Sequence, residues 1–314
     1  MRIPRALVAF WVVVLAVVAA GAGWLQYLGP IKPPAVPPAR QAGNAIPMPS
    51  PLLLTASPAD PAWKIPHPGP DGVVPMRYYA ARAALPAKNL PYIAIMVAGL
   101  GEAEAPSLDA VRELPAAVSL ALTPYGAHVG EIADAARAAG HETLMGLPMQ
   151  VAGEPAATGG NEELRADEPA GWNGKRLDWA LSRGAGYAGT TDAIGLTAPE
   201  TFLADPDAAG WLAWQLAGDG IFLVAATPGI KLPPGVSGRA ADVVIDPDQG
   251  VTAENTALAR LIATAAKSGS AFGVLAAPDP PEIGALAAWC AKLQAEGYTL
   301  VPVSTLATLD AHPQ

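Results

Sequence analysis

The sequence is short of the residues that most often carry chemistry. It has one cysteine and four histidines in 314 residues. A single thiol excludes an intramolecular disulfide and the multi-cysteine zinc sites. Cys290 shares a helical face with Leu286, Trp289 and Leu293, so it reads as a small buried hydrophobe rather than a nucleophile. Aromatic residues make up 6% and charged residues 15%, and the net charge is −9. That balance argues against nucleic-acid binding, which rests on Lys and Arg neutralising phosphates. "GLGEAEAP" lacks the Gly-Lys-Ser/Thr ending of a phosphate loop. Ser119, Ser237 and Ser304 have no Gly-x-Ser-x-Gly setting. "DPDQG" at 246–250 has two acids without calcium-loop spacing and reads as a turn.

Hydrophobic residues are plentiful at 51%, enough for a sizeable core. They are distributed in three different ways along the chain. The first is an uncharged apolar run from Ala6 to Leu25, preceded by Arg2 and Arg5. A run of about 20 residues spans a bilayer as a helix, and it is longer than the ~7–15 residue core of a cleaved signal peptide. Trp24 and Tyr27 stand where interfacial anchors would. Residues 1–28 are therefore expected to be a signal-anchor transmembrane helix. The two arginines hold the N-terminus inside, which makes a single-pass inner-membrane protein with its C-terminal part in the periplasm. The second region, 29–89, is rich in proline and without hydrophobic periodicity. It is expected to be a semi-extended tether, with "RYYAARAALPAKN" forming a local helical turn and His67 remote from any site.

In the third region, from residue 90, strand-like apolar runs alternate with amphipathic helical stretches. The runs are "YIAIMVA", "AAVSLAL", "ETLMGLP", "GYAGTTDAIG", "GIFLVAAT", "ADVVID", "AFGVLAAP" and "YTLVPVS". Most are continuously apolar, as parallel strands buried on both faces require. Helical spacing recurs in "HVGEIADAARAAGH", "KRLDWALSRG", "DAAGWLAWQLAGDG", "AENTALARLIATAAKSG" and "EIGALAAWCAKLQAEG", several of which stop at glycine. The alternation predicts an α/β barrel or a doubly wound sheet, with any site at the C-terminal ends of the strands.

Seven pieces in order, "IAIMVAGLG", "LPAAVSLALTPYG", "ARAAGHETLMGLPMQ", "GYAGTTDAIG", "DGIFLVAAT", "FGVLAAPDP" and "EGYTLVPVSTL", resemble the divergent polysaccharide deacetylases of bacterial envelopes. The resemblance covers about residues 90–308, followed by a tail at 309–314. It implies a distorted (β/α) barrel and an exported protein. It also implies a mechanism in which Asp and His ligands hold a divalent metal that activates water, with an Asp base and a His acid.

Those polar groups are missing at each matched position. The two aspartates that usually end the first strand correspond to Val97-Ala98 or Ala98-Gly99. The histidine before Leu-Pro corresponds to Gly146. Asn-Asn-His-Met-Gly corresponds to Thr191-Asp192-Ala193-Ile194-Gly195, Asp-Ser-Arg-Thr to Val224-Ala225-Ala226-Thr227, and Gly-His-Pro to Ala276-Ala277-Pro278. His67 and His312 lie in the tether and tail, His128 at a helix start, and His141 on the opposite rim. No catalytic residue, metal ligand or cofactor is therefore assigned. Asp192, Thr191, Gln150 and Glu102 are weak candidates for binding, with Asp279 and Glu282 on neighbouring loops. Trp172, Trp179, Trp211 and Trp214 are candidates for stacking on sugars but have the spacing of half-buried helix positions.

The sequence leads to the expectation of a non-catalytic envelope protein that binds a glycan or a periplasmic protein partner. An active metal-dependent deacetylase with a relocated site, and a purely structural spacer, are the alternatives.

Overall fold

A computed structural model describes residues 45–82, 90–151, 162–194, 201–276 and 278–309, together with scattered helical positions between 11 and 19. The chain divides into two compact units, Met1–Arg40 and Gln41–Gln314. Most of the apolar run from Ala6 to Leu25 lies outside the described residues. Among the described residues no helix is long and apolar enough to cross a membrane.

The second unit is built on parallel strands separated by helices. A short antiparallel hairpin, β1 (Leu54–Ala56) and β2 (Lys64–Pro66), comes first, then the turn-length helix α1 (Pro75–Tyr78). There follow β3 (Tyr92–Leu100), α2 (Glu104–Glu113), β4 (Ser119–Leu122), α3 (Val129–Ala139), β5 (Thr143–Gly146), α4 (Ala170–Ser182), β6 (Gly189–Thr191), α5 (Pro206–Asp219) and β7 (Phe222–Ala225). The chain ends with β8 (Gly238–Ala240), β9 (Val243–Ile245), α6 (Val251–Ser268), β10 (Ser270–Ala276), α7 (Pro280–Ala295), β11 (Thr299–Val301) and α8 (Val303–Leu309).

The strands order as β8-β7-β6-β5-β4-β3-β10-β9, all parallel, and β11 pairs with the first residues of β3. β8 and β9 are the two ends of this sheet, yet only Ala241 and Asp242 separate them in sequence. The sheet therefore curls until its edges approach each other, as a distorted barrel does. Polar contacts pin this seam. Asp242 Oδ2 accepts from Phe272 N at 2.8 Å and from Arg239 Nη2 at 3.0 Å, and Arg239 Nη1 reaches Ser270 Oγ at 3.0 Å.

Side-chain alternation along each strand divides the core in two. Ile93, Ile95, Val97, Leu120 and Leu122 join an outer layer with Val111, Leu114 and Ile132 of the helices. Ala94, Met96, Ala98, Ala121, Leu144, Phe222, Val224, Phe272 and Val274 join an inner layer. That inner layer is completed by Val303, Leu306 and Ala307 of α8 and by Ile46, Leu53 and Tyr79 of the N-terminal segment.

The proline-rich stretch thus differs from the solvated tether expected over 29–89. Residues 45–82 belong to the fold. Ser50 N donates to Tyr79 Oη at 2.8 Å, Met76 N to Gly220 O at 2.9 Å, and Ser57 Oγ to Asp178 Oδ2 at 2.5 Å. The prolines suit this role: Pro51 and Pro75 start short helical turns, where a missing N–H costs nothing. Periodicity missed the segment because its buried residues, Ile46, Leu53, Ile65 and Tyr79, are anchors spaced irregularly. Of the stretch "RYYAARAALPAKN", residues 83–89 lie outside the described residues.

Candidate functional site at the strand ends

Two ends of the barrel must be told apart. At the N-terminal end of the strands, Glu142 is fully buried just before β5. Its carboxylate accepts hydrogen bonds from Ser119 Oγ at 3.1 Å, Ser304 N at 3.0 Å and Ala81 N at 3.2 Å. Ser119 Oγ in turn accepts from Val303 N at 3.0 Å. Burial pushes the Glu142 carboxyl up, against the lowering effect of these donors. His141 is also buried here, with Nδ1 2.9 Å from Val118 O and Nε2 3.1 Å from Val111 O. These polar groups tie α8 and the N-terminal segment to the sheet.

At the C-terminal ends, where α/β folds place their sites, the inner wall is built from small apolar side chains. β3 runs through Val97 and Ala98 to Leu100, with a bulge between Val97 and Leu100 where Gly99 takes a left-handed φ of 81°. Close approach, rather than φ, requires glycine at position 126. A Cβ on Gly126, in the loop after β4, would lie 2.1 Å from Gly101 O, so the two loops meet backbone to backbone.

Gly146, at the end of β5, has no room for a side chain. A Cβ there would meet Ile194 Cγ2 at 2.8 Å, Leu122 O at 3.1 Å and Ala193 O at 3.3 Å. Ala193 and Ala276 are buried, 3% and 5% exposed.

Asp192 is the ionisable group at this end of β6. Its Oδ1 accepts from Ala226 N at 2.6 Å and from Thr191 Oγ1 at 3.3 Å, and Thr191 Oγ1 accepts from Ala193 N at 3.2 Å. Burial raises the Asp192 carboxyl to about 6, partly offset by the Ala226 N–H. The structure therefore couples Asp192 to Thr191 and uses the carboxylate to tie β6 to the end of β7. Gln150 is engaged elsewhere: its Oε1 accepts from Ala166 N at 3.3 Å, and its carbonyl accepts from Thr201 N and Oγ1, both at 2.9 Å. Glu102 is exposed on the loop after β3. Glu282 belongs to the flank of the barrel, on α7. Trp214 is 74% exposed on α5. Trp172 and Trp179 carry Arg176 and Arg183 over their rings.

No group of three or more His, Cys, Asp or Glu that could hold a metal ion occurs among the described residues. The donors among the described residues do not fit the metal of the deacetylase mechanism. By the family resemblance Gly146 stands where a histidine is expected, and the sequence alone carries no more than that. It gave no sign that Ile194 fills the space, because that contact joins two different strand ends.

A curled parallel α/β sheet with its apolar mouth at the strand ends defines the fold class as that of the deacetylase barrels. The description "divergent polysaccharide deacetylase" matches residues 95–307, and the chain belongs to this family. Among solved structures, an uncharacterized protein of Agrobacterium tumefaciens C58 is 28% identical, with a TM-score of 0.70 over 78% of this chain and 99% of that one. A candidate cellobiose-phosphate cleavage protein from Enterococcus faecalis V583 is 14% identical, with a TM-score of 0.49 over 69% of this chain and 99% of that one. Among curated proteins none matches the chain.

Proposed function

We propose that this chain is a non-catalytic member of its family, which binds an envelope glycan or a protein partner rather than hydrolysing a substrate. The observation that carries the proposal is the packing of Ile194 and Ala193 against Gly146, beside a carboxylate already spent on Ala226 N. Deacetylation needs an activated water and a proton-transfer pair in the transition state. The positions that supply them in the family are Val97, Ala98, Gly146 and Ala193 here. The apolar run from Ala6 to Leu25 behind Arg2 and Arg5 supports an inner-membrane anchor, with the barrel outside.

The test is metal content and acetate release. The full chain is loaded with zinc or cobalt and incubated with N-acetylated chitooligosaccharides. Neither stoichiometric metal nor turnover is expected. Tight metal with turnover that disappears in Asp192→Ala would overturn the proposal.

One observation favours a relocated site. A half-buried carboxyl that titrates near 6 is suited to act as a general base. Its pH behaviour separates the two readings. The folded pKa lies above the ordinary aspartate value of 3.8, so between roughly pH 4 and 6 the folded state holds a proton that the unfolded chain has lost. Stability contributed by Asp192 is therefore present below pH 4 and lost as pH rises to 6. Asp192→Asn keeps an oxygen for Ala226 N and should flatten that part of the stability profile, raising the melting temperature at pH 7. Under a relocated site, the same variant would also abolish a measurable hydrolysis.

A further inference from the structure

The flank of the barrel carries a groove between α6 and α7. Helix α6 is held to the sheet mainly by its second half: Leu261 and Ala265 are its buried residues, and Leu261 packs where Gly273 of β10 leaves room. None of residues 251–260 is buried. Between this loosely seated first half and α7 lies a cavity of about 370 Å3, within the range of small-ligand sites. Glu254, Asn255 and Leu258 face it from α6, and Glu282, Trp289 and Lys292 from α7. The spacings, three to four residues on α6 and seven then three on α7, put each set on one helix face. Ile245 and Leu275, near the ends of β9 and β10, form the apolar floor.

The charges are arranged by position. Glu254 and Glu282 both sit in the first turn of their helices. Lys292 is ten residues beyond Glu282, which is about 15 Å along a helix. Neither glutamate forms an ion pair with Lys292 among the described residues. Glu282 Oε2 is buried and has no hydrogen-bond partner among the described residues. An unpartnered buried carboxylate oxygen is costly, and a donor from a ligand would satisfy it.

We propose that this groove binds a short peptide with free ends. Its ammonium group or groups lie against Glu254 and Glu282, its apolar side chain rests on the floor beside Trp289, and its terminal carboxylate meets Lys292. About four extended residues cover the distance, at ~3.4 Å each. The site lies outside the barrel mouth and stands whether or not the mouth is catalytic.

The probe is the tetrapeptide lysyl-leucyl-alanyl-alanine, whose two positive charges and one negative charge mirror the groove. Calorimetry on the full chain should show saturable one-to-one binding. Acetylating both amines of the peptide, or making Glu282→Gln, should each weaken binding about tenfold or more, the scale of a lost charge-assisted hydrogen bond. Combined, the two changes should cost little more than one alone. Amidating the C-terminus and making Lys292→Ala should form a second, independent pair of the same kind. Because Lys292 is exposed, that pair remains readable even if Glu282→Gln unsettles the helix. Absence of binding, or equal affinity for free and doubly capped peptides, would overturn the proposal. Equal affinity would mark the groove as an unselective apolar surface.

Discussion

The two ends of the barrel are built from the same strands, yet they treat polar side chains in opposite ways. At the N-terminal end, Glu142, Ser119 and His141 are completely buried, and each is matched to backbone or side-chain partners from distant parts of the chain. At the C-terminal end the inner wall is Ala98, Gly146, Ala193 and Ala276, and the Asp192 carboxylate acts as a tie between strands. Polar groups buried for stability must be fully paired. Polar groups kept for chemistry must leave something unpaired for a substrate. The N-terminal end holds the first kind, and the proposed non-catalytic reading takes packing to stand in place of the second.

The strongest way to break that comparison is to remove the segment that closes the N-terminal end. A chain beginning at residue 83 loses Ile46, Leu53, Ile65 and Tyr79 from the core. At roughly 1.5–3 kcal/mol per buried large side chain, the loss rivals the total stability of an ordinary domain, about 5–15 kcal/mol. Such a chain is expected to be insoluble or to show no cooperative melt, whereas one beginning at residue 41 should melt like the parent. Equal melts for both would show the segment to be a passive tether after all.

A smaller effect is expected from Glu142→Ala. It leaves the donors Ser119 Oγ, Ser304 N and Ala81 N without their acceptor, at about 1–3 kcal/mol for each one left unsatisfied. A loss of about 3–5 kcal/mol in urea unfolding is expected, with Glu142→Gln recovering part of it. A change below about 1 kcal/mol would show that this network is not what holds the closed end.

The smallest effect sharpens the comparison at the mouth. Gly146→His restores the residue type found in the family but drives a side chain into Ile194 Cγ2 and two carbonyls. Overpacking of this kind costs about 1–3 kcal/mol, so a melting temperature lower by a few degrees is expected. Adding Ile194→Ala should return much of it. A Gly146→His protein as stable as the parent would mean the mouth is open rather than filled.

Much of the barrel was legible in the sequence. The eight apolar runs correspond to β3, β4, β5, β6, β7, β9, β10 and β11, because parallel strands covered on both faces leave continuous hydrophobic stretches. The five amphipathic stretches correspond to α3, α4, α5, α6 and α7. What escaped were elements without a period of their own. The hairpin β1–β2 and β8 are three residues per strand, α2 carries Pro106 within an irregular pattern, and α8 is a seven-residue helix that buries Val303, Leu306 and Ala307 but leaves Thr308 exposed. At the site, Asp192 and its neighbour Thr191 were legible as polar residues at the end of a buried strand, whereas their partner Ala226 N, from the end of another strand, was not.

The sequence by itself determined the parallel α/β architecture and the family, because periodicity and residue identity are local properties. Three things were decided only in the tertiary structure. Ile194 fills the place above Gly146, proline-rich residues 45–82 close the barrel's far end, and Glu254 of α6 and Glu282 and Lys292 of α7 line one groove. Each depends on contacts between residues far apart in the chain or on separate elements, and no local pattern encodes which distant side chain will occupy a given space.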